Sequence, residues 1–270
     1  MAGDPTAPRA NVHTFCGEAS SRDDNASLPR CQVEGTEDEM AHVKTLLCLA
    51  NSWKHGGTCV AGLEVTDRGV GDWVRPVSSR PGHGVNSDEQ TLPDGSVPGV
   101  LDVITVGFLE PAPADFQTEN WVLDPTHRWE RVGRWSYAAA ADIVDRPAAL
   151  WSNDGSSSVG THDRVRAEDL PRFDSSIVLV HVDDPAVVVS NNPWNGRSEV
   201  RLWFKYRGVE HELKITDPEY HATYLREGLG RYPLNPQAIV TVSLAEPWTP
   251  PGGGEAYSYK VVAAIIEPEA

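Results

Sequence analysis

A strand pattern that occurs twice is the feature that most constrains the fold of this chain. Residues 103–111 (VITVGFLEP) and 239–247 (IVTVSLAEP) carry Thr, Val, Glu and Pro at the same four positions. Each copy is a short apolar run that ends in a Glu-Pro turn, and each follows a similar order of predicted strands. Two copies of one unit predict a duplicated small β domain. The alternative is chance similarity, because most strands draw on Val, Ile and Thr.

Length and composition set the class of protein. The 270 residues are 40% hydrophobic and 23% charged, with 23 Gly and 21 Pro. These values indicate a globular chain with many turns, long enough for one large domain or two small ones. No apolar run has the length of a membrane span, and residues 1–10 lack a signal-peptide pattern. We therefore expect a cytoplasmic protein without a membrane partner.

The charge balance excludes a protein whose whole surface attracts nucleic acid. Lys and Arg total 23 against 39 Asp and Glu, so the net charge is -16. Non-specific nucleic-acid binding depends on many Lys and Arg side chains that neutralise phosphates. A small local cationic pocket or an uncharged ligand stays compatible with this balance.

The residue types that usually bind metals are scattered along the chain. The four Cys, at positions 16, 31, 48 and 59, have no CxxC spacing, and the nine His form no HxH or HxxxH pair. We therefore predict free thiols in a reducing compartment, no metal site and no cofactor.

The spacing of apolar runs, Gly and Pro divides the chain into four segments. They are a disordered acidic leader at 1–40, a first β unit at 41–112, a Trp-rich, partly helical connection at 113–172 and a second β unit at 173–270. Helices are predicted over 136–144 and 217–226, because Ser and Asp are good N-caps. The predicted strands are 43–49, 58–65, 73–77, 101–109, 176–182, 186–190, 199–206, 209–215, 238–244 and 259–266.

Each β unit therefore has five or six short strands, with a helix or a long loop before the last strand. This order is typical of a small Greek-key barrel of the oligonucleotide/oligosaccharide-binding (OB) type. We predict a mainly β chain with two such barrels joined by a partly helical connection. A pair of immunoglobulin-like sandwiches is the structural alternative. The absence of alternating strands and helices argues against a doubly wound parallel sheet.

A polar loop, NSWKHGGTC, follows the first predicted strand. Its glycines allow close backbone approach, its lysine offers a charge to an anion, and its serine and histidine supply exchangeable protons. Such a loop can hold a phosphate or a base, although it lacks the GxxxxGK[ST] and GxSxG patterns. A plain β-hairpin turn with solvated side chains is an equal alternative. The candidate ligand-binding residues here are Ser52, Lys54, His55, Gly56 and Gly57.

A second polar cluster, WVRPVSSR, begins at Trp73. Strand alternation places Trp73 and Arg75 on one face and Ser78 on the other. An Arg beside a Trp can stack on a base or pair with a phosphate, so all three residues join the candidate binding set. The alternative is a surface strand in which Arg75 neutralises a nearby acid.

A third cluster lies in the second β unit, where Arg201, Trp203, Lys205 and Arg207 alternate with apolar residues. Basic residues interleaved with aromatic ones are typical of single-strand binding surfaces. Any half-exposed antiparallel strand has the same pattern, and we favour that reading for this cluster.

Seven motifs, some of which contain the clusters above, form a pattern along the chain. They are LCLANSWKHGGTCVAG (47–62), WVRPVS (73–78), ENWVLDP (119–125), RWERVGR (128–134), FKYRG (204–208), ITDP (215–218) and YKVVAAII (259–266). Together they resemble a bacterial family, the dual OB-containing domain, over roughly residues 43–266. The resemblance implies two OB barrels, similar in fold to nucleic-acid or nucleotide-binding modules. The resemblance assigns no catalytic residues to this chain. It supports the fold more than the function, because a fold does not specify what is bound.

Three functions are compatible with these residues. We favour a binding module that recognises a nucleotide or a short single-stranded nucleic-acid segment in a small cationic pocket. There Lys54 and Arg75 would meet phosphate, Ser52 and His55 would form hydrogen bonds, and Trp73 would stack. The second function is a hydrolase or nucleotide-modifying enzyme that uses Ser52, Lys54 and His55. The third is a protein-interaction scaffold whose acidic surface binds a protein partner.

Overall fold

The computed structural model describes residues 42–54, 57–80 and 82–269, which form a mainly β structure. The described strands are β1 (His42–Lys54), β2 (Gly57–Thr66), β3 (Gly69–Val77), β4 (Asp102–Pro111), β5 (Asn120–Leu123), β6 (Glu130–Arg134), β7 (Arg164–Arg166), β8 (Ile177–His181), β9 (Asp183–Asn191), β10 (Ser198–Tyr206), β11 (Val209–Ile215), β12 (Gly230–Pro233), β13 (Ile239–Leu244) and β14 (Tyr257–Ile266). The α-helices are α1 (Ser87–Gln90), α2 (Tyr137–Ala141) and α3 (Pro218–Glu227).

The first sheet closes into a barrel. Its order is β1-β2-β3-β5-β4-β6, and β1 also pairs with β4, so the five strands β1 to β5 form a ring. All pairs are antiparallel except β3 with β5, which are parallel. The short helix α1 lies between β3 and β4. This is the strand order of an OB barrel.

The second sheet repeats this arrangement with β8 to β14. Its order is β12-β9-β10-β11-β14-β13-β8. Val182 alone separates β8 from β9, and together they act as the first strand, because β8 pairs with β13 and β9 pairs with β10. The pair β11 and β14 is parallel, and α3 follows β11. The prediction of a mainly β chain with two OB-like units is therefore confirmed.

The duplicated sequence pattern lies in equivalent strands. Residues 103–111 are in β4 and residues 239–244 are β13, which is the fourth strand of its barrel as β4 is of the first. Each pairs with the first strand of its own barrel. The sequence repeat therefore coincides with a structural repeat.

The segment 113–172, expected to be a connection, supplies strands to both sheets. β5 and β6 pair with β4, so the first sheet continues past residue 112. β7 pairs with β14 of the second barrel. Ser136 caps α2 by accepting a hydrogen bond from the Ala139 backbone N–H at 3.3 Å, and a 3₁₀ helix spans Ala167–Arg172. The expected leader at 1–40 lies outside the described residues.

The two barrels pack against each other through the outer face of β1 to β3. Alternation along β1 sends Leu46 and Cys48 into the first barrel and Leu47 and Leu49 towards the second. Leu179 and further apolar residues of β8, β13 and β14 cover this face. A strand buried on both faces is apolar throughout, which explains the uninterrupted run in β1. None of the described helices has the length and apolarity that a membrane crossing requires.

Candidate functional site

Arg75, expected to meet a phosphate, is buried between the two barrels. Its guanidinium lies 2.8 Å from the Glu119 carboxylate and donates a hydrogen bond to the Ser176 hydroxyl at 2.6 Å. The Ser176 hydroxyl in turn donates to Glu119. Glu119 precedes β5 in the first barrel, whereas Ser176 precedes β8 in the second. The charge of Arg75 is therefore balanced inside the protein, across the barrel interface.

Ser52 and Lys54 lie near Arg75. The three line a cavity of about 60 Å³, and the Lys54 ammonium pairs with the Glu246 carboxylate at 2.5 Å. Pockets for small organic ligands measure roughly 300–1,000 Å³, so this cavity holds a few water molecules at most. A phosphate at this position would have to displace Glu119 or Glu246.

The other predicted site residues lie apart from this cavity. The half-buried Trp73 packs on the barrel interface, and its indole N–H donates to the Asp145 carboxylate at 3.4 Å. The buried Ser78 hydroxyl accepts a hydrogen bond from Arg80 at 3.0 Å. A Cβ atom at Gly57 would lie 2.5 Å from the Val85 carbonyl oxygen, so glycine permits this close approach. His55 and Gly56 lie outside the described residues, and their role stays a prediction.

The equivalent outer face of the second barrel carries a different set of side chains. Val200, Leu202 and Phe204 of β10 point into the barrel core, and the residues between them point outward. Trp203 and Lys205 on this outward face are partly exposed.

Trp203 forms the centre of a cationic and aromatic surface. The guanidinium carbon of Arg231 lies 4.2 Å from the centroid of the Trp203 ring, and the Lys205 ammonium lies 5.6 Å from it. Arg231 belongs to β12, which pairs with β9, the neighbour of β10. A cation over an indole ring is stabilised by about 0.5–2 kcal/mol. Lys214 of β11 pairs with Arg201 across the strands and is exposed on the same outward side. We call Trp203, Lys205, Lys214 and Arg231 the Trp203 surface.

The structure divides the third sequence cluster in two. Arg201 is buried beneath the connection, where its guanidinium lies 3.7 Å from the Asp163 carboxylate and 3.3 Å from that of Glu199. Arg207 lies in the turn between β10 and β11 and donates a hydrogen bond to the Arg146 carbonyl at 3.0 Å. Trp203 and Lys205 alone of the four occupy the open face.

Sequence reasoning missed Arg231. The short strand GRYP contains two residue types that rarely occur inside strands, and no alternation marks it. The cation reaches Trp203 only because β12 joins the sheet beside β9. A basic residue between Gly and Tyr, close after a predicted helix, was the one available signal.

Comparison with known families identifies the fold. The family model described as the dual OB-containing domain matches residues 44–265. The chain belongs to this family. A dual OB domain has a fold of the nucleic-acid or oligonucleotide-binding type. A comparison with curated proteins finds no match.

In this dual OB domain the two barrels use their equivalent faces differently. The face of β1 to β3 in the first barrel is buried against the second barrel, and its cation, Arg75, is paired there. The matching face of β9 to β11 keeps Trp203 partly exposed with Arg231 above its ring. Among the described residues, no group of three or more His, Cys, Asp or Glu side chains could hold a metal ion.

Proposed function

We propose that this protein binds single-stranded nucleic acid, or a nucleotide within it, on the Trp203 surface of the second barrel. The observation that carries the proposal is the Arg231 guanidinium held 4.2 Å over the Trp203 ring on an open OB face. Bases stack on aromatic rings and on guanidinium planes, and backbone phosphates pair with neighbouring cations.

The position of this surface supports the proposal. OB folds bind oligonucleotides on the face of their second and third strands, between the loops that join strands one to two and four to five. In the second barrel those strands are β10 and β11. The loop before β10 carries Trp194, whose side chain is 78% exposed although its indole N–H donates to the Ser158 hydroxyl. A second aromatic residue therefore stands at the edge of the face.

The local charge of the surface limits the number of phosphates that it can bind. Lys205, Lys214 and Arg231 face outward. The acids on the same side are Asp184, Glu199, Glu210 and Glu212, and Asp184 pairs with the Lys205 ammonium at 3.2 Å. Burial raises the pKa of the Glu212 carboxyl, while the nearby Arg201 and Arg231 charges lower it. Because only two or three phosphates can be neutralised here, log Kd should depend on log salt with a slope of about 2.

The cavity beside Lys54 and Arg75 is unsuited to binding a nucleotide. Its volume of about 60 Å³ is several times too small, and both cations already have carboxylate partners. For the same reason, the cavity has no space for a substrate between Ser52 and Lys54, which an enzyme using these residues would need. We therefore place recognition on the second barrel.

Fluorescence anisotropy with labelled single-stranded DNA and RNA of about 12 nucleotides tests this function. Trp203→Ala and Arg231→Ala should each weaken binding about tenfold, because one stacked base contributes about 1–3 kcal/mol. The matched controls are Trp53→Ala and Arg226→Ala, an exposed Trp and an exposed Arg elsewhere. Lys54→Ala should also leave binding unchanged. Losses confined to Trp53→Ala or Lys54→Ala would move the ligand to the first barrel and contradict the proposal.

A further inference from the structure

A second pair of a cation and an aromatic ring lies on the second barrel, where β7 pairs with β14. Val165, the middle residue of β7, is buried in an apolar cluster. Alternation therefore turns Arg164 and Arg166 to the opposite side. The guanidinium carbon of Arg164 lies 3.9 Å from the centroid of the Tyr257 ring, which holds the guanidinium in one orientation.

Arg164 and Arg166 differ in their partners. The Arg166 guanidinium lies 3.3 Å from the Glu168 carboxylate and 3.9 Å from that of Glu255. Within the described residues Arg164 has no carboxylate partner, and its buried Nε–H has no hydrogen-bond acceptor. The Arg164 guanidinium therefore carries a charge that no described carboxylate balances, and an anion from outside the chain would balance it.

An open cavity of about 460 Å³ gives a ligand access to Arg164. This volume lies within the range of small-molecule sites. Three carboxylates also line the cavity, and each already has a donor. Asp154 accepts from the Ser152 hydroxyl at 2.6 Å, Glu168 pairs with Arg166, and Asp169 pairs with Arg172 at 2.8 Å. Arg164 is the cation that stays available to an anion.

The cavity is also close to the Trp203 surface along the sheet. Trp203 pairs with Glu212 on the neighbouring strand, and Glu212 bridges to Thr161, three residues before Arg164. Adjacent strands are about 4.8 Å apart and an extended chain advances about 3.4 Å per residue. The path between Trp203 and Arg164 is therefore no longer than roughly 20 Å, a distance that a few nucleotides span.

We propose that Arg164 binds a backbone phosphate of the same single strand whose base stacks at Trp203. This inference rests on the proposed function and extends it, because it assigns a second contact point and a minimum ligand length. A strand that is too short to reach from Trp203 to Arg164 makes only the first contact.

A length series of labelled oligothymidylates, from two to about twelve nucleotides, tests this by fluorescence anisotropy at low salt. For the unmodified protein, affinity should rise about tenfold at the length that reaches Arg164. Arg164→Ala should remove that rise and leave the shortest ligands unaffected. Arg164→Lys keeps the charge and should retain part of the rise. Arg166→Ala is the matched control, because Arg166 is already ion-paired, and it should keep the rise in full.

The outcomes separate this inference from the proposed function. Binding at every length without a rise, or a rise that survives Arg164→Ala, overturns the Arg164 contact and leaves the Trp203 surface intact. A rise that only Arg166→Ala removes also overturns it. No binding at any length overturns both. Circular dichroism and thermal melting show whether each variant is folded, and Arg164→Lys supplies the decisive comparison if Arg164→Ala does not fold.

Discussion

The guanidinium of Arg75 and the carboxylate of Glu119 lie 2.8 Å apart inside the interface between the two barrels, with 3% of each side chain exposed. Ser176 of the second barrel accepts from one and donates to the other. Arg75 Nε and Glu119 Oε2 have no hydrogen-bond partner among the described residues. The pair is therefore buried, and the loss of either charge leaves the other without a counter-ion.

Removal of one charge from this pair should destabilise the protein strongly. Glu119→Ala leaves the Arg75 guanidinium buried without its anion, a change that costs about 3–5 kcal/mol for buried pairs. Urea denaturation followed by tryptophan fluorescence measures the free energy of unfolding. The control is Glu64→Ala, which breaks a pair with Lys44 that solvent still reaches, with 16% of the Lys44 and 27% of the Glu64 side chain exposed, and should cost about 1 kcal/mol or less.

The double variant Arg75→Met, Glu119→Leu separates charge from packing. Both buried charges are then absent, so most of the stability lost in Glu119→Ala should return. A double variant that is as unstable as Glu119→Ala would show that packing at this interface, and not an unpaired charge, dominates the loss.

Close packing of β1 on β2 should make Gly62 intolerant of any side chain. A Cβ atom at Gly62 would lie 2.2 Å from the Leu47 carbonyl oxygen, and the backbone cannot yield without breaking the ladder between the two strands. We expect Gly62→Ala to lower the free energy of unfolding by about 1–3 kcal/mol or more. At Gly71 the nearest atom to such a Cβ is 3.6 Å away, so Gly71→Ala should change it by about 0.5 kcal/mol or less. Equal losses in both variants would contradict this explanation.

The sequence was sufficient for most of the fold because strand alternation and the duplicated pattern are local signals. The repeats in β4 and β13 mark equivalent strands, and the apolar run in β1 marks a strand buried on both faces. The sequence did not predict strand β5, because four residues are too few to show a clear alternation of apolar and polar side chains. Its pairing with β3 is also not local in sequence.

The candidate site was less predictable because alternation gives the direction of a side chain but not what covers that face. Arg75 does leave the barrel with Trp73, yet its partner Ser176 is 101 residues away in sequence. Arg231 reaches Trp203 through a strand that the sequence did not reveal. A pattern of cations on the outer face of a strand therefore predicts a binding surface only if no other part of the protein covers that face.

The two described cysteines should differ in reactivity. Burial raises the pKa of the Cys48 thiol to about 12, and its side chain is fully enclosed in the first barrel. Cys59 is half-buried at the edge of the small cavity beside Lys54. Because the thiolate is the reactive form, iodoacetamide should alkylate Cys59 in the native protein and Cys48 only after unfolding in urea. Peptide mass spectrometry measures both sites, and equal rates for the two in the native protein would contradict the enclosure of Cys48.

Acid should destabilise the second barrel through His211. Its ring is fully buried and stacks on Phe204 with centroids 5.3 Å apart, and neither ring nitrogen has a partner among the described residues. Burial, followed by the nearby Lys260 charge, lowers the pKa of His211 to about 3. The folded protein therefore keeps this ring neutral while the unfolded chain takes up a proton below its pKa of about 6.5.

The unfolded state thus binds more protons between these two pKa values, and the stabilising effect of a neutral His211 is present above pH 6.5 and is lost as pH falls towards 3. His211→Phe removes this effect, and titrations common to both proteins cancel in the comparison. From pH 7 to pH 5 the stability of the unmodified protein relative to His211→Phe should fall by about 2 kcal/mol, measured by urea denaturation. Between pH 7 and 8 the difference should stay constant. A difference that also stays constant down to pH 5 would show that the folded protein protonates His211 as readily as the unfolded chain.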